Sequence, residues 1–192
     1  RGHLEKFMLI KSTSVLSKVA VVGLMMGFWG VSAHADVDDD AVLVDHDMGL
    51  CAAPEGGKSF VRVSVEGLKD LEGNIRVQVY GPTEEDFLEK GKKLVRIDVK
   101  TESDGQEICV PMPGLGDFTL VVMHDRNANG KADFFTEGFG FSNNPKLGLG
   151  KPDVEDVVFT ATEGVTDMPV NLKYIFGADE EQKKKRRQLR RR

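Results

Sequence analysis

The chain has 192 residues, with 26 basic and 31 acidic side chains and a formal net charge of −5. The first 35 residues hold four basic and one acidic residue, and residues 179–192 hold eight basic and three acidic ones, which leaves a net charge of −13 for residues 36–178. A body this acidic would repel phosphates, which argues against a nucleic-acid-binding domain. The length that remains after residue 35 is enough for one domain with a hydrophobic core.

Residues 1–35 have the organisation of an export signal. A stretch with scattered lysines precedes an uncharged run at residues 19–29, and Ala33-His34-Ala35 then leads into an acidic sequence. These are the parts of a cleaved signal peptide with an A-x-A cleavage site. A membrane span needs about 20 apolar residues, which is more than this run provides. We therefore expect a mature chain that starts at Asp36, has no transmembrane anchor after cleavage, and is periplasmic or secreted.

Residues 36–58 are acidic and lack a strand pattern, so we expect an irregular leader. The two cysteines of the chain are Cys51 in this leader and Cys109 further along. An even number of cysteines in an exported chain favours a disulfide. The alternative is two buried free thiols. We predict a disulfide that links the leader to a core strand.

Residues 59–176 are predicted to form one all-β domain. Four segments alternate apolar and polar residues with a period of two, which is typical of half-buried antiparallel strands. They are residues 61–66, 75–79, 95–100 and 170–174. Three more apolar segments, residues 106–110, 118–123 and 154–161, are also strand candidates. About seven antiparallel strands separated by turn residues predict a β-sandwich, either immunoglobulin-like or transthyretin-like. Residues 84–93 offer one helical turn.

Residues 125–153 show no strand pattern. A loop of this length in a compact domain is usually functional or disordered. We therefore expect the function of the protein to reside there. Its glycine-rich part contains Phe139 and Phe141, which either contact a ligand or fold back as a lid over the end of the sandwich. The lid is favoured, because isolated exposed phenylalanines are costly.

Within this loop, residues 125–133 follow the spacing D-x-N-x-N-G-x-x-D, which matches the front of a calcium loop. Calcium binds about six to eight hard oxygen ligands, and alternate side chains of a tightly curled loop supply them. The predicted ligands are the side chains of Asp125, Asn127, Asn129 and Asp133 and the carbonyl of Lys131. Gly130 stands where the sharp turn is needed.

The final ligand of the motif departs from the usual pattern. Position twelve is normally a bidentate Glu, whereas this chain has Thr136 there and Glu137 one place later. We predict that Glu137 completes the site. The alternative is a simple polar β-turn, because Asn-Gly is a strong turn signal and Asn and Asp stabilise turns by themselves.

The basic run at residues 183–192 follows the domain. Residues 177–192 are expected to be a disordered basic tail that either contacts an anionic surface, such as envelope lipid, or touches the acidic body of its own chain.

Several sequence blocks together resemble a known family. They are Val79-Tyr80, Gly-Asp-Phe-Thr-Leu at residues 116–120, residues 124–133, and Gly-Phe-Ser-Asn-Asn at residues 140–144. With them, residues 60–174 resemble the bacterial domain-of-unknown-function family 2141 (DUF2141). Phe118 replaces the Tyr common at that place, and residues 136–139 are shorter than the usual lead into the last block. The resemblance implies an exported β-sandwich and no particular reaction.

Two hypotheses follow from the sequence. The first is a non-enzymatic, calcium-stabilised module of the periplasm or envelope that binds an unknown protein or glycan. The second is a metal-dependent periplasmic hydrolase that uses the 124–137 loop with His124. The second hypothesis needs a nucleophile or base, and neither is evident in the sequence. A pocket lined by His124, Asp133, Glu137 and Ser142 would favour it.

Overall fold

The computed structural model of the protein describes residues 43–148 and 150–174. The predicted signal peptide, residues 36–42 of the leader and the basic tail at residues 177–192 lie outside the described residues. Within the described part, the chain forms eight strands and two helices of four residues each. The strands are β1 (Ser59–Glu66), β2 (Asn74–Tyr80), β3 (Lys93–Lys100), β4 (Gln106–Pro111), β5 (Gly116–Asp125), β6 (Gly138–Phe141), β7 (Val158–Ala161) and β8 (Gly164–Asn171), and the helices are α1 (Gly49–Ala52) and α2 (Val154–Val157).

The strands form two sheets, which confirms the predicted all-β sandwich of one domain. The smaller sheet has the order β4-β1-β8, and the larger has the order β3-β2-β5-β6. β6 and β7 both lie along β5: β7 pairs with the first residues of β5, and β6 pairs with its last residues. One pairing departs from the antiparallel prediction: β1 and β8 run parallel, with Ser59 opposite Gly164.

The main core lies between the two sheets and is built from the alternating residues that the sequence predicted. Val61, Val63 and Val65 of β1 are fully buried, and the core continues through Ile75 and Val77 of β2. Burying a side chain of this size stabilises a fold by about 1.5–3 kcal/mol. The alternation places these side chains on one face of each strand because successive residues point to opposite faces.

A second apolar cluster covers the outer face of the larger sheet. Tyr80 and Val121 on that face pack with Phe87, Phe141 and the buried valines of α2. The rings of Phe87 and Phe141 meet edge to face, with centroids 6.1 Å apart. The segments 81–92 and 142–148 and α2 therefore cover the part of this outer face that carries Tyr80 and Val121.

Two sequence predictions differ from the structure, whereas the predicted helical turn is present. Residues 154–161 were predicted as one strand, but residues 154–157 form α2 and only residues 158–161 form a strand. The helical turn predicted within residues 84–93 is present as one turn, closed by the hydrogen bond from the Phe87 N–H to the Thr83 carbonyl at 2.9 Å. It ends at Leu88, whose φ is 63°. The predicted 125–153 loop contains β6, whose Gly-Phe-Gly-Phe sequence lacks the polar alternation of a half-buried strand.

The predicted disulfide between Cys51 and Cys109 is confirmed. Their Cα atoms are 5.8 Å apart, and the two residues are separated by 58 positions in the sequence. Cys51 lies in α1 and Cys109 in β4, and both pack with Phe60 in a small cluster of their own. The leader is thus fixed to the smaller sheet, although residues 49–52 are helical and not irregular as predicted.

Candidate metal centre

The predicted calcium residues lie at one end of the sandwich, where β5 ends at Asp125 and β6 begins at Gly138. The register of the sheets brings four segments of the chain to this end, because Asn74 pairs with both Lys100 and Asp125, and Glu66 pairs with Asn171. The four segments are residues 67–73, 101–105, 125–137 and 172–174. We call them together the calcium-loop end.

The first half of the loop curls around the carboxylate of Asp125, which is only 2% exposed. Its two oxygens accept hydrogen bonds from the backbone N–H groups of Asn129 at 3.1 Å and Gly130 at 2.8 Å. The amide oxygen of Asn127 accepts from the Asn129 N–H at 2.9 Å, and that of Asn129 accepts from the Lys131 N–H at 2.7 Å. Each of these oxygens keeps a further lone pair for a cation.

The curl depends on two residues with positive φ. Ala128 has a φ of 52° and Gly130 a φ of 75°. Glycine adopts this left-handed conformation readily, whereas it costs other residues about 1–2 kcal/mol. The Asn-Gly step thus forms the tight turn that both the calcium prediction and the simple-turn alternative require.

The second half of the loop places Glu137 beside this curl. Glu137 is 1% exposed, and its Oε2 accepts a hydrogen bond from the Asp133 N–H at 2.9 Å. Its Oε1 is buried and has no hydrogen-bond partner among the described residues. Burial raises the pKa of the Glu137 carboxyl and outweighs the hydrogen bond from the Asp133 N–H, which lowers it. The negative charges of Asp125 and Asp133 and a side-chain interaction with Asp125 raise this pKa further. Two acidic neighbours therefore act on the pKa of Glu137.

The residues present fit a hard cation, because a buried carboxylate with an unpartnered oxygen is costly unless something compensates its charge. No three His, Cys, Asp or Glu side chains in residues 43–148 and 150–174 are grouped closely enough to form a metal cluster by themselves. The three predicted carboxylate ligands, Asp125, Asp133 and Glu137, are therefore not drawn together around one point, and the other three predicted ligands are amide or backbone oxygens. Calcium commonly uses such oxygens.

The loop is fixed to the larger sheet through Arg76, which is 7% exposed. Its Nη1 donates to the carbonyl of Gly130 at 2.8 Å, and its Nε donates to Asp98 at 2.7 Å. Arg96 donates to the same carboxylate. Burial raises the pKa of Asp98, but the hydrogen bonds from Arg76 and Arg96 outweigh it and hold the pKa below its ordinary value. Sequence reasoning missed this anchor, because Arg76 alternates with apolar residues as a solvent-facing residue of a strand does.

The loop is also tied to residues 67–73. Arg126 forms an ion pair with Asp70 and donates to the carbonyl of Thr136 at 3.3 Å. The Arg126 side chain is accordingly only partly exposed. Gly73, with a φ of 69°, lies so close that a Cβ atom there would stand 2.0 Å from the carbonyl oxygen of Asp125.

The residues of the hydrolase hypothesis do not form a catalytic pair. His124 is fully buried, and its ring nitrogens lie 2.7 Å from the Tyr174 hydroxyl and 2.7 Å from the Glu72 carbonyl. Ser142 is also fully buried, donates to the carbonyl of Val157 and accepts from the N–H of Leu120. Leu120 lies four residues before His124 on β5, which at strand spacing is about 13 Å. The structure therefore does not bring His124 and Ser142 together, as the pocket that would favour the hydrolase hypothesis requires.

The Gly-Phe-Ser-Asn-Asn block has a structural role that the sequence did not reveal. Asn143 donates to the carbonyl of Val158 at 2.8 Å, and Asn144 donates to that of Pro169 at 2.7 Å. Both asparagines have positive φ, 62° and 48°. The predicted packing of Phe141 onto the sandwich is found in the second apolar cluster. Phe139 is half-buried and stacks on Phe134, with centroids 4.7 Å apart.

The comparisons with known proteins define the family. A family model described as "Uncharacterized protein conserved in bacteria (DUF2141)" matches residues 63–169, which is more than half of the chain. The chain therefore belongs to the DUF2141 family, and the resemblance predicted from its sequence blocks is confirmed. No curated protein matches the chain.

A solved structure with a weak likeness is the crystal structure of a candidate adhesin from Bacteroides ovatus, at 3.00 Å resolution. It is 17% identical with a TM-score of 0.28, and the match covers 67% of this chain and 48% of the other. The chain thus spans about half the length of that protein, and a likeness of this size defines no function. None of the helices in the described residues is long and apolar enough to cross a membrane.

Proposed function

We propose that this protein is an exported, non-enzymatic β-sandwich module of the bacterial periplasm or envelope that is stabilised by calcium and binds a protein or a glycan. The disulfide supports export, because disulfides persist in oxidising compartments such as the periplasm. Membership of a family conserved in bacteria supports the bacterial part of the proposal.

One observation carries the calcium proposal: the Oε1 atom of Glu137 is buried without a hydrogen-bond partner among the described residues. In the proposed site, calcium is held by the side-chain oxygens of Asp125, Asn127, Asn129, Asp133 and Glu137 and by the carbonyl of Lys131. Calcium there would neutralise the buried carboxylates and fix the loop. With three carboxylates and an irregular final position, we expect weak affinity, on the order of 10⁻⁴ to 10⁻³ M as in extracellular modules.

The non-enzymatic part of the proposal is supported by the hydrogen bonds of His124 and Ser142. The ring nitrogens of His124 bond to Tyr174 and Glu72, and the Ser142 hydroxyl bonds to Leu120 and Val157. A general base must reach the proton that it removes, and a nucleophile must reach its substrate. Residues engaged in this way stabilise the fold.

Calorimetry and thermal unfolding of the purified protein with calcium, magnesium and a chelator test the proposal. Calcium binding to the folded state should add about 1.4 kcal/mol of stability at a tenfold excess over Kd. Asp125→Ala and Glu137→Gln should each abolish this gain. Glu85→Gln is the matched control for Glu137→Gln, because Glu85 is exposed on the 81–92 segment at the other end of the sandwich. If millimolar calcium leaves the melting temperature unchanged, the loop is only a turn.

A further inference from the structure

A pocket of about 310 Å³ opens on the outer face of the larger sheet and shares Lys173 with the calcium-loop end. Half of its lining residues are apolar, and the other half carry an amide or an ammonium group. They are Phe141, Pro145, Leu147, Asn144, Asn171 and Lys173. Small-molecule sites are commonly clefts of about 300–1,000 Å³ with apolar walls and a few polar groups. The pocket has the size and composition of such a site.

The pairing of the strands places the polar residues of the pocket beside aromatic ones. Lys173 exchanges two backbone hydrogen bonds with Phe139, at 2.8 and 2.9 Å. Alternate residues of a strand point to the same face, so Asn171 lies on the side of Lys173, where it lines the pocket with Phe141. Phe139 in turn stacks on Phe134, with centroids 4.7 Å apart, and Phe134 is 55% exposed. An accessible aromatic ring therefore lies next to the pocket.

The surroundings of the pocket are basic, although the body of the chain is strongly acidic. The segments that line it, residues 138–148 and 168–174, contain Lys146 and Lys173 and no acidic residue. Among the described residues, the Lys173 ammonium has no ion-pair partner, and the side-chain amide of Asn171 has no hydrogen-bond partner. One cation and one amide are therefore available to an anionic ligand.

The backbone around the pocket is already paired. Phe139 and Lys173 bond to each other. The Asn144 side chain donates to the Pro169 carbonyl and accepts from the Asn171 N–H, both at 2.7 Å. Extended peptides are recognised through main-chain hydrogen bonds to a free strand edge, and this edge is closed. The pocket offers side chains instead, which favours a ring-shaped ligand with its own hydroxyl and carboxylate groups.

We propose that this pocket binds a uronic acid residue of an acidic glycan, which rests on the ligand-binding part of the proposed function. The Lys173 ammonium pairs with the sugar carboxylate, and the Asn171 amide bonds to its hydroxyl groups. The C–H face of the sugar packs on Phe141, and the exposed ring of Phe134 receives the next sugar of the chain. Charge-assisted hydrogen bonds are stronger than neutral ones, so the carboxylate determines the selectivity.

Calorimetry in about 0.15 M salt, where exposed charges more than about 8 Å apart are largely screened, tests the inference. The probes are oligomers of galacturonic, glucuronic and mannuronic acid and their uncharged methyl esters. Calcium is left out, because carboxylates bind it themselves. Wild type should bind one of the acids about tenfold more tightly than its ester, since hydrogen bonds to charged groups contribute more than neutral ones.

Lys173→Gln should remove this preference for the acid while its backbone hydrogen bonds to β6 remain. Lys100→Gln is the matched control, because Lys100 is exposed on β3 at the opposite edge of the larger sheet. A second variant, Asn171→Asp, places a negative charge in the pocket and should reverse the preference. Melting temperatures measured without sugar show that each variant is folded.

Three results overturn the inference: no binding of any oligomer, equal binding of acid and ester by wild type, or the same effect of Lys173→Gln and Lys100→Gln. Tighter binding of an amidated polyglutamate peptide also overturns it and leaves the protein ligand of the proposed function. The calcium measurement uses no sugar, so the two proposals fail separately. Calcium stabilisation without uronate binding refutes the glycan pocket alone, and uronate binding without calcium stabilisation refutes the calcium site alone.

Discussion

The hydroxyl of Tyr174 lies 2.7 Å from Nδ1 of His124, which joins the strand entering the calcium loop to the segment that follows β8. Nε2 of His124 donates to the carbonyl of Glu72 when Nδ1 accepts from Tyr174, and the Tyr174 oxygen then accepts from the Lys69 N–H. Each polar group in this chain of hydrogen bonds has a partner. Burial lowers the pKa of His124 and keeps the ring neutral, as this arrangement requires.

The first prediction is that Tyr174→Phe destabilises the protein by about 1–3 kcal/mol, because it leaves the buried Nδ1 of His124 without its donor. The measurement is urea unfolding at pH 7 without calcium. His124→Phe combined with Tyr174→Phe is the informative double variant. If the two substitutions act only through this hydrogen bond, the double variant should lose less stability than the sum of the single variants. Strict additivity would contradict the proposed coupling.

The second prediction concerns Asp98, whose carboxylate accepts hydrogen bonds from Arg76 and Arg96. Its pKa is lowered in the folded state, so its stabilising effect is present above the ordinary value of 3.8 and is lost as the pH falls through the lower folded value. Asp98→Asn should cost about 1–3 kcal/mol at pH 7, because Arg76 is left buried without its carboxylate.

Unfolding by urea at pH 7 and at about pH 3 checks this prediction. The difference between wild type and Asp98→Asn should shrink at the lower pH, where the wild-type carboxylate also begins to protonate. Asp45→Asn is the control, since Asp45 is exposed. A penalty for Asp98→Asn that is the same at both pH values would show that charge is not its cause.

The third prediction separates a steric contact from backbone strain. Gly73 and Gly105 have nearly the same φ, 69° and 78°, but a Cβ at Gly73 would meet the Asp125 carbonyl at 2.0 Å whereas one at Gly105 would meet nothing within 4 Å. Gly105→Ala should cost about 1–2 kcal/mol for its left-handed conformation. Gly73→Ala should cost more, and it should also impair calcium binding because Asp125 must shift. Equal melting temperatures for the two variants would refute the steric explanation.

The fourth prediction concerns the disulfide. Cys51→Ser together with Cys109→Ser opens a loop closed over a separation of 58 residues, for which the chain-entropy model gives a loss of roughly 4 kcal/mol. Urea unfolding of this double variant, compared with the oxidised wild type, measures the loss. Wild type treated with a reductant should approach the variant. A variant as stable as the oxidised wild type would mean that the packing of the leader, and not the cross-link, holds it in place.

The strands of the main core were predictable because a strand with one buried face has a period of two. Val61, Val63 and Val65 show this pattern, and all three are fully buried. The same logic fails for β6. Gly138 lies against the ring of Tyr174 and Gly140 against Val170, so neither position has room for a Cβ atom. A strand selected for small residues carries no alternation of apolar and polar side chains.

The tight turn of the candidate site was predictable for a different reason. Local spacing brings Asp125, Asn127 and Asn129 onto one tight turn, and neighbours in sequence need no tertiary fold to meet. The supports of the loop come from elsewhere in the chain: Arg76 lies 54 residues before its partner Gly130, and Asp70 lies 56 residues before Arg126. A single sequence offers no sign of such pairs, because Arg76, Asp70 and Arg126 each look like an ordinary surface charge.

The parallel pairing of β1 with β8 has a consequence for the order of folding. β1 is the middle strand of its sheet, and its neighbour β8 lies 105 residues later, as Ser59 opposite Gly164 shows. Contacts this distant in sequence form slowly, because a long loop must close before they are made. In a chain that folds while it is being made from its N-terminus, one edge of β1 therefore stays unpaired until nearly the whole domain is available. A product that stopped before Gly164 would keep that edge exposed for pairing with other chains.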